Sequence, residues 1–126
     1  MNTLFILLAM IFCHIVDDYY LQGKLASMKQ KSWWEKNAPD RLYKYDYIVA
    51  LAMHSFSWAF MTMLPVAVSQ EFQIGSIFMV ILIINTVVHA IVDDLKANKR
   101  KINLITDQLV HVCQIIITFI FCIVSA

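Results

Sequence analysis

The sequence is poor in charge and in the residues that interrupt helices. Only 15% of its 126 residues are charged, where a soluble domain carries about 25%. Two glycines and two prolines are too few for a β-sandwich, a collagen-like repeat or a flexible linker protein. Cys13, Cys113 and Cys122 form no CxxC pair and no disulfide framework. Each falls in an apolar segment and reads as a small packing residue. Basic residues are missing from most of the chain, since all ten lie between Lys24 and Lys44 or between Lys96 and Lys101. That map excludes a nucleic-acid binder. P-loop, dinucleotide-binding and Ser or Cys nucleophile motifs are also absent.

What is abundant is apolar surface, at 60% of the residues. A bilayer core is ~30 Å thick and is crossed by about 20 apolar residues of helix. Four segments qualify, at about 3–21, 45–68, 74–95 and 102–125. The expected fold is a single all-α membrane domain, a four-helix transmembrane bundle. A spanning segment must satisfy its own backbone hydrogen bonds, which selects helix over strand. Pro65 is expected to end or kink the second span. The first segment lacks the positive n-region and cleavage site of a signal peptide, so it reads as a mature span.

Orientation follows from the bases. The linker at about 22–44 holds six and the linker at 96–101 holds four, while the remaining loop has Glu71 and no base. The positive-inside rule places both basic linkers in the cytoplasm and both termini outside, in a cytoplasmic (inner) membrane. In the first linker Leu25, Met28, Trp33 and Trp34 alternate with Lys24, Lys29, Lys31 and Lys36. This suits a short amphipathic helix at headgroup level, or an irregular basic loop with two interfacial tryptophans.

An ionisable residue inside a span is costly and marks function by default. This chain has His14, Asp17 and Asp18 in the first span, His54 in the second, His89, Asp93 and Asp94 in the third, and Asp107 and His111 in the fourth. All four histidines are among them. His14 and Asp18, His89 and Asp93, and Asp107 and His111 are each four apart, which places both members on one helical face. The order reverses in the fourth span, which runs the other way. Every Asp is therefore nearer the basic linkers and every His deeper. Gln22, Asn85 and Gln114 extend the polar stripes by a turn and suit hydrogen bonds that orient metal ligands, or plain interhelical bonding.

Imidazole with carboxylate suits divalent transition metals, zinc first, with manganese, iron or nickel as alternatives. Helical bundles build such centres from inward side chains on facing helices. His14, Asp18, His54, His89, Asp93, Asp107 and His111 are too many ligands for one tetrahedral zinc and suit one or two metals sharing carboxylates. The competing expectation is a buried polar network or a proton pathway without metal.

These residues resemble a family of small bacterial and phage membrane proteins catalogued as domain of unknown function 3307. The matching motifs are His14-Ile-Val-Asp-Asp18-Tyr-Tyr-Leu-Gln22, isolated His54, His89-Ala-Ile-Val-Asp93-Asp-Leu-Lys96 and Asp107-Gln108-Leu-Val-His111. Tyr19 stands where the family usually has Phe. The resemblance selects Asp18 over Asp17 and Asp93 over Asp94, and adds Gln108 and Lys96 to the site. By fold-level analogy alone the family is similar to membrane proteins regarded as metal-dependent hydrolases.

The function expected is a metal-dependent hydrolase working from the cytoplasmic leaflet. Its substrate would be anionic or phosphorylated, such as a lipid or lipid-linked phosphate. Asp18, Asp93 and Asp107 are the candidate catalytic carboxylates, and Lys24 and Lys96 the candidate anion-binding groups. A metal or proton transporter or sensor is the second expectation, although the outer half of each span offers no polar steps. A membrane modulator stapled by its metal is the third. The bilayer is the expected partner, and a homo-oligomer is compatible with the sequence.

Overall fold

The computed structural model describes residues 2–124. The expected end of the fourth span at Ser125 lies outside them. Among the described residues the elements are helical. Helix α1 (Thr3–Val16) passes into a π-helical turn at Asp17–Leu21. Two short helices follow, α2 (Leu25–Met28) and α3 (Lys31–Asn37), then a 3₁₀ turn at Arg41–Tyr43. Helices α4 (Asp46–Ser69), α5 (Ser76–Ala97) and α6 (Leu104–Phe119) follow, and a second π turn at Ile120–Val124 extends α6. Four helices are long and apolar enough to cross a membrane.

Local chemistry explains several ends. Asn2 caps α1 by accepting from the Leu4 and Phe5 amides, and Asn103 caps α6 by accepting from Thr106. Gly23 has φ +51°, a conformation that glycine adopts without steric cost as the chain turns from α1 into α2. Pro65 lies in the last turns of α4, which continues past it to Ser69. Helical segments in lipid tolerate proline where neighbouring helices and side chains satisfy the freed carbonyl.

The bundle is a ring in which α1 packs on α4, α4 on α5, α5 on α6, and α6 on α1. Helix α4 carries the most regular stripe. Ala50 and Leu51, His54 and Ser55, Trp58 and Ala59, Thr62 and Met63, and Val66 and Ala67 are all buried. The repeat of four matches one helical ridge, and its small members let neighbouring helices approach. One end of the interior is mostly apolar, built from Ile6, Met10, Met63, Val66, Ile115 and Phe119, with Thr62, Asn85, Gln114 and Thr118 also buried there. The other end is filled by His and Asp. Outside, Phe5, Leu8, Phe12, Ile77, Ile84, Leu109 and Phe121 are exposed. Polar residues within and large apolar residues without suit a molecule solvated by lipid.

The first basic linker, expected as a short amphipathic helix or an irregular loop, is helical in two pieces. They are broken at Lys29 and Gln30 and folded back against the bundle end. Asn98, just past α5, fixes that break. Its side chain donates to the Lys29 carbonyl at 3.0 Å and accepts from the Lys31 amide at 2.7 Å. Trp34 donates to the Met28 carbonyl at 2.6 Å and stacks on Tyr43.

Candidate metal centre

The π turn of α1 shapes one wall. Its i→i+5 geometry turns fewer degrees per residue than an α-helix. Consecutive Asp17 and Asp18 consequently both face inward, and both are buried. His54 comes from α4, His89 and Asp93 from α5, and Asp107 and His111 from α6. His54, His89, Asp93, Asp107 and His111 are each at most 1% exposed.

Six groups converge. The His54 Nε2 lies 3.3 Å from Asp18 Oδ1 and 3.3 Å from Asp93 Oδ2. The His89 Nε2 lies 3.5 Å from Asp93 Oδ2, 3.9 Å from Asp18 Oδ1 and 3.2 Å from His54 Nε2. The His111 Nε2 lies 3.4 Å from Asp93 Oδ1 and 3.2 Å from Asp107 Oδ1. Three overlapping sets result: Asp18, His54 and His89; His89, Asp93 and His111; Asp18, Asp107 and His111. Each set holds its ligand atoms within 4.8 Å of one another.

These separations fit a cation. Ligands ~2.0–2.2 Å from a tetrahedral metal stand roughly 3.3–3.6 Å from one another. Several of the atoms have no hydrogen-bond partner, among them Asp18 Oδ1, Asp107 Oδ1 and His111 Nε2. A buried polar atom left unpaired costs about 1–3 kcal/mol, so the cluster lacks a partner that a metal would supply. Formal charge points the same way. Four buried aspartates face two ammonium groups, Lys29 on Asp93 at 2.7 Å and Lys96 on Asp107 at 3.1 Å. With neutral imidazoles and ionised carboxylates, two negative charges remain, which is the charge of one divalent cation reversed.

The surrounding residues orient the donors. Asp17 lies behind His54, 3.7 Å from its Nδ1, and accepts from Ser57 Oγ at 2.6 Å. A carboxylate behind a metal-facing imidazole is the usual device for fixing the ring. Trp58 stacks on His89, with ring centroids 4.3 Å apart. His14 stands at the edge of the cluster. Its Nδ1 accepts from Trp58 at 2.7 Å, its Nε2 bonds Gln108 at 2.9 Å, and it belongs to none of the three sets. Gln108 also donates to Asp107 Oδ2 at 2.9 Å and to Asp18 Oδ2 at 3.4 Å.

Other expected site residues fall elsewhere. Asn85 and Gln114 bond each other and Thr118, linking α5 to α6. Gln22 donates back to the Asp18 carbonyl. Lys24 is exposed, and the lysine that enters from the first linker is Lys29. Nothing in the sequence separates Lys29 from Lys24, Lys31 or Lys36. Trp58 did have a signal, lying four residues after His54 on the same face of α4.

Above the cluster is a cleft of about 540 Å³, lined by Gln22, Lys29, Gln30, Lys96 and Arg100 among others. Two of its lining residues, Lys29 and Lys96, are those bound to the buried carboxylates. The model of a family described as "Protein of unknown function (DUF3307)" matches residues 6–126. No curated protein and no solved structure matches the chain.

Proposed function

The chain belongs to the DUF3307 family of proteins of unknown function, and we propose that it is an integral membrane, metal-dependent hydrolase acting on a phosphorylated, lipid-like substrate. The observation that carries the reading is the convergence of three imidazole Nε2 atoms and three carboxylates, several without a partner, beneath a basic cleft. His54, His89, His111, Asp18, Asp93 and Asp107 would hold one or two divalent metals, zinc foremost. A metal in that donor set would supply Lewis acidity toward a phosphoryl oxygen. The protein's own groups do the rest. Lys29, Lys96 and Arg100 offer positive charge to the substrate anion. A carboxylate oxygen not taken up in coordination, on Asp18, Asp93 or Asp107, would accept the proton of the attacking water.

The apolar end of the interior supports this reading over transport. Ile6, Met10, Met63, Val66, Ile115 and Phe119 close most of the bundle beyond the histidines, and the polar side chains there, Asn85, Gln114 and Thr118, bond one another and bring no charged step for an ion to follow. The basic linkers share the bundle end that carries the cleft. In our reading that end faces the cytoplasm of an inner membrane, with both termini outside.

The test begins with elemental analysis of protein purified in detergent without added metal. One or two divalent metals per chain are expected. The metal-loaded protein is then offered phospholipids and isoprenoid phosphates, beside His89→Ala and Asp107→Ala variants checked for helical content. Phosphate release by wild type and its loss in folded variants supports a hydrolase. Metal bound without hydrolysis of any of these lipids overturns the enzymatic part, and absence of metal overturns both parts.

A further inference from the structure

The two lysines on the buried carboxylates hold a position that a bound metal would contest. Lys29 Nζ is 2.7 Å from Asp93 Oδ2, and Lys96 Nζ is 3.1 Å from Asp107 Oδ2. Both carboxylates belong to the sets that can hold metal. Asp93 Oδ2 also lies 3.3 Å from His54 Nε2 and 3.5 Å from His89 Nε2. One oxygen then faces an ammonium and two imidazoles at once. A metal ion bound between Asp93 and those rings reduces what the carboxylate can offer the ammonium, and its own charge repels the lysine.

Lysine has a flexible four-carbon stem and a point charge, so each ammonium can swing without moving its backbone. The cleft lies where they would swing, because Lys29 and Lys96 line it together with Gln22, Gln30 and Arg100. Lys29 is buried, anchored by the Asn98 contacts to its carbonyl and to the next amide but one. Its backbone is held while its side chain has two places to go.

We propose that Lys29 and Lys96 are counter-cations of Asp93 and Asp107 that metal binding would displace into the cleft, where they bind the phosphoryl oxygens of the substrate. This rests on the metal centre proposed above. Metal and phosphate then bind with positive coupling, and each raises the affinity for the other by the same factor. The device offsets part of the centre's negative charge before metal arrives and forms the anion site only once the metal is present.

The test measures zinc affinity by chelator competition, in detergent with and without inorganic phosphate, and in nanodiscs with and without phosphatidic acid. Wild type should bind zinc at least ~5-fold more tightly with one of these anions present, the low end of ordinary coupling. Coupling with inorganic phosphate identifies a phosphoryl site open to solvent. Coupling with phosphatidic acid alone identifies a lipid headgroup site. Coupling with neither overturns the proposal.

Phosphate ligating the metal directly would also give coupling, so the lysines must be shown to carry it. Lys29→Gln and Lys96→Gln should each bind zinc more tightly than wild type without phosphate, having lost a competing charge, and each should lose most of the coupling. Weaker zinc binding in both variants, or undiminished coupling in both, overturns the proposal. Lys96 is only half-buried, so its variant serves if Lys29→Gln does not fold. Wild type that binds no zinc defeats the metal centre itself. Wild type that binds zinc without the lysine effects defeats the displacement alone.

Discussion

The indole Nε1 of Trp58 donates to His14 Nδ1 at 2.7 Å and thereby fixes the direction of a hydrogen-bond chain across three helices. An indole N–H can only donate. His14 Nδ1 must then be the bare nitrogen, its Nε2 carries the proton, and Nε2 donates to Gln108 Oε1 at 2.9 Å. With its oxygen so used, the Gln108 amide turns its NH₂ to Asp107 and Asp18. The chain starts on α4, crosses α1 and ends on two carboxylates of the buried His and Asp cluster.

Trp58→Phe breaks the first link while keeping an aromatic ring against His89. The unpaired His14 nitrogen should cost about 1–3 kcal/mol, read as a lower melting temperature in detergent. Nitrogen NMR of His14 should show a single tautomer, protonated on Nε2, in wild type and a mixture in the variant. A wild type protonated on Nδ1 contradicts the chain.

Gln108→Leu removes the link that touches the carboxylates. Changes in groups that orient metal ligands typically cost ~10–100-fold in affinity. The variant should lose zinc affinity in that range with its helical content unchanged. Zinc binding equal to wild type would mean that Gln108 only fills space.

The helical spacing reached a good part of this site. The three pairs four residues apart have their side chains 3.7 Å apart for His14 and Asp18, 3.5 Å for His89 and Asp93, and 3.2 Å for His111 and Asp107. That follows from the 3.6-residue turn, because such pairs need no knowledge of tertiary structure. The burial of Lys29 and its contact with Asp93 depend on how a loop folds back across 64 residues of sequence separation. Periodicity carries no information about that. The inward placement of both Asp17 and Asp18 depends on a π turn, which an α-helical wheel does not represent. Asn85 and Gln114 lie on the inward stripe as the spacing implies, yet they bond each other, since their partners are set by the packing of α5 on α6.

Asp17 tests the carboxylate behind His54. Asp17→Asn keeps the size and an acceptor for Ser57 Oγ but removes the charge facing His54 Nδ1. Zinc affinity should fall by ~10–100-fold without losing a ligand, so stoichiometry at saturation stays at the wild-type value. Asp93→Asn, which removes a ligand, should instead lower stoichiometry or abolish binding. Equal behaviour of the two variants would place Asp17 in the coordination sphere.

Asn85 and Gln114 supply the converse case. The Asn85 side chain donates to Thr118 Oγ1 at 2.9 Å, and Gln114 donates to Asn85 Oδ1 at 2.9 Å, inside the bundle between α5 and α6. Neither side chain bonds a His or Asp of the cluster. Interhelical side-chain bonds in membranes average about 0.6 kcal/mol and reach ~1.7 kcal/mol. Gln114→Leu removes one partner and leaves Asn85 Oδ1 in an apolar setting, so its cost should fall toward the upper figure. Replacing both, as Asn85→Leu with Gln114→Leu, removes the unpaired group as well. The double variant should therefore be less destabilised than the sum of the singles. Zinc affinity should be unchanged in all three. Thermal denaturation and zinc titration on the same preparations check both halves, and a fall in zinc affinity would show that the pair acts on the metal centre rather than only joining two helices.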